Sequence, residues 1–284
     1  MDDPLIAVLG AGVMGTGIST LAVGHGLPVV LVDVDEAVLE RARAATATGL
    51  RHAQLVGALP PGRAPGELRT TVSLDDIAAA GAVVEAVTER ADLKTELLAK
   101  VSTLVRPGTP LISNTSGIPI DEIAECVQRP GELIGTHFMN PAYLISMVEV
   151  IRGRRTAEAT VKSVLALLGR LGRRAVVVRD APGFVTSRLL HPMINDAARV
   201  VSEGTATVEE VDTLMQGCLG HPTGPLRTAD LIGIDNLVDS LTVLHARTGD
   251  ERCRPSELLL EKVRRGELGR KSGLGFYVYR EAAS

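Results

Sequence analysis

His137 and Glu149 are the residues of this sequence whose types and spacing best fit acid–base chemistry. His137 ends one apolar run, Glu149 lies inside the next, and a turn built on Asn140-Pro141 joins the two runs. If the runs pair as strands, a buried carboxylate can hold the imidazole in one tautomer, which is what a general base with a pKa near operating pH needs. For this stretch alone, a satisfied core histidine beside a solvent-facing glutamate is the alternative interpretation.

A dinucleotide-binding turn is predicted near the N-terminus. The apolar run Leu5–Leu9 leads into a Gly-x-Gly-x-x-Gly sequence, a helix follows, and the next apolar run ends on Asp33. In this context the first glycine permits a tight turn, the second lets the backbone approach a pyrophosphate, and the third lets helix and strand pack closely. The free N–H groups and positive dipole end of the helix favour phosphate. The turn consists of Gly10, Ala11, Gly12, Val13, Met14 and Gly15.

Asp33 indicates which cofactor this turn binds. Its carboxylate can accept both hydroxyls of an adenosine ribose and would repel a 2′-phosphate, and no arginine follows it directly. We therefore expect NAD rather than NADP. FAD, which uses the same fingerprint, and a glycine-rich turn without a ligand are the alternatives.

Two further polar segments follow apolar runs. The run Ala82–Val87 ends near Glu89, and Lys94 falls in the first turn of the next helix. A positive charge there opposes the helix dipole, so we expect Lys94 to be solvated unless an anion holds it. Asn114-Thr115-Ser116-Gly117 follows the strand Pro110–Ser113. Ligands bind at such strand ends in open parallel sheets, although these residues also fit the N-cap turn of a following helix.

The alternation of strands and helices up to residue 179 predicts an α/β fold with a doubly wound, Rossmann-type parallel sheet. From Phe184 onward the apolar residues recur at helical spacing, so we expect residues 180–284 to form a smaller all-helical domain. The glycine-rich, basic segment Gly269–Tyr277 near the C-terminus is either a flexible tail or a loop that reaches the cofactor.

Composition excludes several classes of protein. The 284-residue chain has 2% aromatic residues and a net charge of −4, and both values argue against nucleic-acid binding. Its three cysteines are far apart, so neither a disulfide framework nor a metal site is indicated, and we expect a cytoplasmic protein. No segment has the roughly 18 uninterrupted apolar residues of a membrane span. The acidic start of the chain is unlike a signal peptide.

The ordered set of motifs resembles the 3-hydroxyacyl-CoA dehydrogenase family over almost the whole chain. The motifs that carry the resemblance are GAGVMGTGI, VVEAVTER followed by LK, ISNTSG, GTHFMNPA with VEVI, DAPGFVTSRLL, HPTGPLRTADLIGID and GRKSGLGFYVY. The resemblance implies hydride transfer between NAD and an (S)-3-hydroxyacyl thioester, linked to CoA or acyl carrier protein, with a 3-keto thioester as product. It also implies a homodimer formed through the helical domain.

The resemblance assigns roles to single residues. His137 would take the hydroxyl proton, Glu149 would hold its imidazole, and Lys271 would reach the cofactor from the C-terminal segment. The residues implied in catalysis are His137, Glu149, Ser116 and Asn140. Together with the glycine-rich turn, the expected cofactor-binding residues are Gly10, Ala11, Gly12, Val13, Met14, Gly15, Asp33, Glu89, Lys94, Asn114, Ser116, Asn140 and Lys271. The expected substrate-binding residues are Ser116, His137, Tyr143 and Ser187.

Two departures from the family pattern concern the substrate. Ser187 stands where the fatty-acid enzymes carry an active-site asparagine, and Tyr143 lies in the turn after Asn140-Pro141. A tyrosine there is similar to relatives that oxidise free hydroxy acids or glycerate bound to a carrier protein. The loop Gly57–Gly66, near where the family binds the CoA nucleotide, carries Arg63 but no lysine. The lysine-free loop favours a phosphopantetheine arm on a carrier protein over a tight CoA clamp. Ser187 could fit a small polar acyl group, and the alternative for Ser187 and Tyr143 is neutral drift around an ordinary acyl-CoA pocket. A non-catalytic relative is disfavoured because it would not need the catalytic set.

Overall fold

A computed structural model describes residues 4–279 of the chain. The chain folds into two compact units, and the boundary between them falls between Ala181 and Pro182. The first unit is an α/β domain and the second is built from helices. Within the described residues, no helix has both the length and the apolar character that crossing a membrane requires.

The first unit contains eight strands and five α-helices among its described residues. In chain order they are β1 (Ile6–Leu9), α1 (Val13–Gly24), β2 (Val29–Val32), α2 (Glu36–Leu55), β3 (Leu68–Thr71), β4 (Ala82–Glu85), α3 (Ala91–Leu104), β5 (Leu111–Ser113), α4 (Ile120–Ile123), β6 (Leu133–His137), β7 (Met147–Arg152), α5 (Glu158–Arg170) and β8 (Arg174–Arg179).

All eight strands form one sheet in the order β3-β2-β1-β4-β5-β6-β7-β8. Strands β1 to β6 run parallel, as the strand–helix alternation predicts, but β7 is antiparallel to β6 and β8 is parallel to β7. The reason is the connection after β6: a short turn through the cis peptide Asn140-Pro141 replaces a crossover helix, and short connections join antiparallel neighbours. The sheet is therefore mostly, not wholly, parallel.

The core of the first unit is built from aliphatic side chains. Strands β1, β2, β4 and β5 are buried at every position, which is the pattern of strands covered on both faces. Helices α1 and α5 contribute Ile18, Leu21, Val164 and Leu168 to the same cluster. The edge strand β8 is different, because most of its residues are exposed or half-buried. The buried centre of the sheet thus gives rigid support to the strand ends where the polar motifs lie.

The second unit contains five α-helices among its described residues, α6 (Thr186–Ser202), α7 (Val208–Leu219), α8 (Pro225–Ile232), α9 (Ile234–Thr248) and α10 (Glu257–Arg264). Their facing sides bury a core of its own, with Ile194, Leu226, Leu237, Leu241 and Leu259 fully enclosed. The all-helical expectation for this part of the chain matches these elements.

Two buried aspartates tie the C-terminal segment to the helices of the second unit. Asp230 accepts hydrogen bonds from the Phe276 and Tyr277 amides, both at 2.9 Å. Asp212 accepts the Tyr277 hydroxyl at 2.9 Å and the amides at the start of α8. A Cβ on Gly275 would lie 2.0 Å from Asp230 Oδ1, so only glycine fits there. The flexible-tail interpretation is therefore wrong for the described part of this segment, because its backbone is held by buried carboxylates.

Candidate active site

The glycine-rich turn leaves space where a pyrophosphate would lie. A Cβ on Gly10 would come within 2.8 Å of the Ala86 carbonyl oxygen, and one on Gly15 within 1.8 Å of the Gly10 carbonyl oxygen. A Cβ on Gly12, by contrast, would meet nothing within 4 Å. Helix α1 begins after Gly12 without a side-chain cap, so no side chain of its N-cap competes with a phosphate for its first N–H groups. This cradle fits NAD.

The other residues of the turn have distinct surroundings. The amide of Ala11 donates to Asp33 Oδ2 at 2.7 Å, and the amide of Asp35 donates to Asp33 Oδ1 at 3.2 Å. These bonds fix the carboxylate beside the turn, and each of its oxygens has a second lone pair for a ribose hydroxyl. Val13 is exposed at the start of α1, whereas Met14 packs against the core.

His137 and Glu149 face each other across the antiparallel pair β6–β7. The strand register places them directly opposite, and His137 Nδ1 lies 3.3 Å from Glu149 Oε2. Both residues are buried, at 8% and 7% exposure. Because a carboxylate only accepts, Nδ1 carries the proton and Nε2 is the basic nitrogen. The solvent-facing interpretation of Glu149 is wrong, since the short turn folds β7 back onto β6.

The end of β5 is tied to the end of β6 next to this pair. Asn114 Oδ1 accepts the Phe138 amide at 3.1 Å, directly after His137. Ser116 lies half-buried in the turn that follows Asn114, and Asn140 is exposed at the start of the turn after β6. Asn114, Ser116, His137 and Asn140 therefore all lie at or just beyond the carboxyl ends of β5 and β6, where open α/β sheets bind ligands.

Glu89 holds the turn that carries Ser116. Its Oε1 accepts the Ser116 amide at 2.7 Å, the Gly117 amide at 3.2 Å and the Thr115 hydroxyl at 2.5 Å. Lys94 stands behind it with Nζ 3.2 Å from Glu89 Oε2. The expectation that Lys94 is solvated is wrong, because its side chain has no exposed surface. Its ammonium is paired with the carboxylates of Glu85 and Glu89, and their negative charge offsets the unfavourable position of a lysine in the first turn of α3.

Tyr143 reaches α2. Its hydroxyl lies 3.3 Å from His52 Nδ1, and the two rings meet edge to face with centroids 6.0 Å apart. A Cβ on Gly49 would touch the Tyr143 ring at 3.6 Å. Sequence reasoning missed His52, since nothing near it in the chain indicates a partner 91 residues away.

Arg173 is a second residue that sequence reasoning missed in this region. Its buried guanidinium donates to the Ile145 carbonyl at 3.0 Å and to the Ala142 carbonyl at 3.5 Å. Burial lowers the pKa of the guanidinium, yet it stays charged under all ordinary conditions. Arg173 thus holds the turn that carries Tyr143.

Two predicted residues belong to the second unit. Ser187 is buried near the start of α6. Lys271 lies in a short 3-10 turn, where its Nζ forms an ion pair with Asp235 Oδ2 at 2.6 Å. Their roles toward substrate and cofactor remain predictions.

Comparison with known proteins accounts for both units. Residues 5–181 match the NAD binding domain of 3-hydroxyacyl-CoA dehydrogenase, and residues 183–279 match the C-terminal domain of that enzyme. The chain is 41% identical to the probable 3-hydroxybutyryl-CoA dehydrogenase of Deinococcus radiodurans, over 96% of this chain and 99% of the relative. It is 40% identical to the probable 3-hydroxybutyryl-CoA dehydrogenase of Bacillus subtilis, over the full length of both.

A solved structure is similar over the same span. The crystal structure of (S)-3-hydroxybutyryl-CoA dehydrogenase from Ralstonia eutropha superposes with a TM-score of 0.88 at 37% identity, and covers 99% of this chain and 100% of that one. The cradle at Gly12 and the fixed carboxylate of Asp33 lie in the part of the chain that matches the NAD binding domain. The chain therefore belongs to the 3-hydroxyacyl-CoA dehydrogenase family, and it is an NAD-dependent oxidoreductase.

Proposed function

We propose that the protein interconverts an (S)-3-hydroxyacyl thioester and its 3-keto form with NAD as the redox partner. The observation that carries the proposal is the buried His137–Glu149 pair, with Nδ1 3.3 Å from Oε2. A histidine oriented by a carboxylate, beside strand ends that can hold a nucleotide and a hydroxyl, suits removal of a proton from an alcohol.

The protein's own groups handle the proton. In oxidation, His137 Nε2 takes the proton of the substrate hydroxyl, and Glu149 stabilises the imidazolium that forms. The Ser116 hydroxyl and the Asn140 amide position the reacting oxygen, which contributes through orientation and electrostatics. In reduction, the imidazolium of His137 returns the proton. Bound NAD⁺ supplies the hydride acceptor.

The cofactor is held by groups already described. The amides at the start of α1 would bind the pyrophosphate, and Asp33 would accept the adenosine ribose hydroxyls. Asn114 and Glu89 lie around the turn that leads to Ser116, on the side where the family places the nicotinamide. The side chain of Lys94 has no exposed surface, so Lys94 would act on the cofactor only through Glu89. In the second unit, Lys271 is proposed to contact the cofactor.

The direct test follows NADH absorbance with purified protein and acetoacetyl-CoA. We expect NADH oxidation that depends on the thioester, with NADPH a much poorer donor because Asp33 repels its 2′-phosphate. Absence of turnover with acetoacetyl-CoA and with every carrier-linked 3-keto or 3-hydroxy acid tried would contradict the proposal.

A second candidate substrate is glycerate linked to an acyl carrier protein, as in the making of polyketide extender units. The observation that favours it is the polar pair formed by Tyr143, on the turn after β6, and His52, on α2, which are joined by a 3.3 Å contact. Ser187, which is shorter than the family's asparagine, and the lysine-free loop 57–66 point the same way.

A matched panel separates the carriers. Acetoacetyl-CoA, a carrier-protein-linked 3-hydroxy acid, glyceryl carrier protein and a free 3-hydroxy acid would be compared by kcat/KM under one set of conditions. Preference for the glyceryl carrier protein would establish the second candidate. Turnover of the free acid alone would replace both thioester proposals.

We also propose that the protein is a homodimer formed through its second unit. The supporting observation is a set of exposed leucines on the described helices α6, α7 and α8, namely Leu189, Leu214, Leu219 and Leu231. Light scattering at micromolar concentration tests this, since a monomer mass would contradict it. The cytoplasmic location remains a prediction that fractionation of cells can check.

A further inference from the structure

A fully buried carboxylate, Glu85, lies at the end of β4 behind the Ser116 turn. Its Oε1 accepts the Val87 amide at 2.8 Å and Lys94 Nζ at 2.7 Å, and its Oε2 accepts the Ser113 hydroxyl at 2.6 Å. Neither Glu85 nor Lys94 has exposed side-chain surface. The proposed proton transfer and cofactor contacts make no use of Glu85.

Lys94 connects this carboxylate to a second one. Its ammonium lies 2.7 Å from Glu85 Oε1, 3.2 Å from Glu89 Oε2 and 3.3 Å from the Val87 carbonyl oxygen. The contacts with Glu85 and with the Val87 carbonyl are hydrogen bonds, and the contact with Glu89 is an ion pair. Glu85 therefore fixes the position of Lys94, and Lys94 in turn fixes one oxygen of Glu89.

The other oxygen of Glu89 holds the turn Thr115–Gly117 through three hydrogen bonds. The Glu89 side chain is 40% exposed, so without Lys94 water would compete for its carboxylate. A continuous series of ion pairs and hydrogen bonds thus runs from Glu85 through Lys94 and Glu89 to the amide of Ser116. Hydrogen bonds to charged groups are about twice as strong as neutral ones, which suits a positioning role.

We propose that Glu85 is a positioning residue: through Lys94 and Glu89 it fixes the turn that carries Ser116, and so sets the rate of hydride transfer. This inference rests on the proposed function, in which Ser116 binds the reacting oxygen. Ser113, which donates to Glu85, is the last residue of β5 and anchors the same network to the sheet.

Stability alone does not explain the buried pair. Two charges lose their hydration on burial, and replacing such a pair by apolar side chains of similar volume is often neutral or stabilising. Removing one member alone is damaging, because it leaves a buried charge uncompensated. The double variant Glu85→Leu/Lys94→Met is therefore the informative change, because it can leave the fold intact while Glu89 loses its anchor.

The first measurement uses the chain without cofactor or substrate. Hydrogen exchange of the peptide that covers Ser113–Ile118 reports the Ser116 and Gly117 amides, whose acceptor is Glu89. We expect their exchange to accelerate at least about tenfold in the double variant, while peptides from β1 and β2 keep the wild-type rate. The single variant Glu85→Gln keeps an acceptor for the Val87 amide, and we expect it to show a smaller acceleration.

The second measurement is steady-state kinetics with the substrate found for the wild type. We expect kcat of the double variant to fall by about tenfold to a hundredfold, which is the range for small misplacement of a reacting group. The KM for the acyl substrate should change by less than about threefold, because the residues that hold the rest of the acyl group are untouched. A loss caused by general destabilisation would instead appear in the melting temperature and in exchange throughout the domain.

Arg129→Met provides the matched control. Arg129 forms a partly buried ion pair with Glu132 in the same unit. Like Glu89, Glu132 also accepts a hydrogen bond from a loop amide, here that of Gly108. This variant should leave both the exchange of Ser113–Ile118 and kcat at wild-type values.

Unchanged exchange at Ser116 and Gly117 in the double variant overturns the inference, and so does accelerated exchange with wild-type kcat. Failure of the proposed function would appear differently, as absence of dehydrogenase activity in the wild type, and the exchange experiment does not depend on that activity.

Discussion

The side chain of Asn114 accepts the backbone N–H of Phe138 at 3.1 Å, and so joins the end of β5 to the residue that follows His137. Both residues are buried. The imidazole of His137 is thus held in place from two sides, by Glu149 on β7 through its ring and by Asn114, directly after β5, through the adjoining backbone. Three strands, β5, β6 and β7, position one functional group.

This contact predicts the behaviour of Asn114→Ala. The change leaves a buried amide without its acceptor, so unfolding free energy should fall by about 1–3 kcal/mol, and kcat/KM should fall with it. Denaturant titration and NADH absorbance measure the two effects. Asn114→Asp keeps an acceptor oxygen and should recover most of the stability at neutral pH. Equal stability of the alanine variant and the wild type would show that the Phe138 amide finds another partner.

His137→Ala should abolish turnover without preventing cofactor binding. The imidazole is the proposed proton carrier, whereas the described contacts of the nucleotide cradle lie at the glycine-rich turn and Asp33. We expect kcat to fall by at least about 10²-fold to 10⁴-fold, with NADH affinity, measured by fluorescence titration, within about threefold of the wild type. Near-normal turnover would remove His137 from its role.

Glu149→Gln should lower kcat less than His137→Ala does. The amide can still contact Nδ1, but it does not carry the negative charge that stabilises the imidazolium, and its NH₂ group favours the wrong tautomer. The informative measurement is kcat in both directions of the reaction, which should fall while NADH affinity stays at the wild-type value. An unchanged kcat would argue that Glu149 has only a packing role.

Asp33→Ala should weaken NADH binding much more than it changes kcat. The carboxylate is far along the cofactor from the reacting carbon, and its loss also frees the Ala11 amide. Fluorescence titration should show a Kd raised by about tenfold or more, the usual cost of losing hydrogen bonds that involve a charged group. Asp35→Ala is a suitable control, since the Asp35 side chain caps α2 through the Ala37 amide and the variant keeps the backbone amide that donates to Asp33. Unchanged NADH affinity in Asp33→Ala would refute the assignment.

Much of the site follows from local sequence. The glycine-rich turn and Asp33 are predictable because the role of each residue depends on its own backbone and on the elements on either side of it. The pairing of His137 with Glu149 is predictable because two apolar runs joined by a short turn have few ways to pair.

The parts of the site that the sequence does not predict depend on contacts between residues far apart in the chain. Helical spacing places Lys94 in a first turn, but its burial depends on Glu85 at the end of another element, and the sequence pattern marks Glu85 only as part of an apolar strand. Tyr143 and His52 meet because the turn after β6 contacts α2, and Arg173, directly before β8, holds that turn. Secondary-structure propensity and hydrophobic periodicity do not predict such contacts, because the contacts arise when the sheet and its helices pack together.

His25 gives the protein a stability that depends on pH. It is buried at the end of α1, with Nδ1 2.8 Å from the Leu21 carbonyl oxygen. Desolvation, together with the nearby charges of Arg173 and Arg63, lowers its pKa below the ordinary value of 6.5, although the bond to Leu21 partly opposes the shift. The folded state therefore binds a proton less readily than the unfolded state. The stability contributed by neutral His25 is complete above pH 6.5 and is lost as the pH falls from there through the lowered pKa.

In His25→Gln, where the amide can still donate to Leu21, this loss should be absent. The difference in unfolding free energy between wild type and variant, measured by denaturant titration at a series of pH values, should therefore shift toward the variant as the solution is acidified. A difference that stays constant below pH 6.5 would mean that His25 titrates alike in both states.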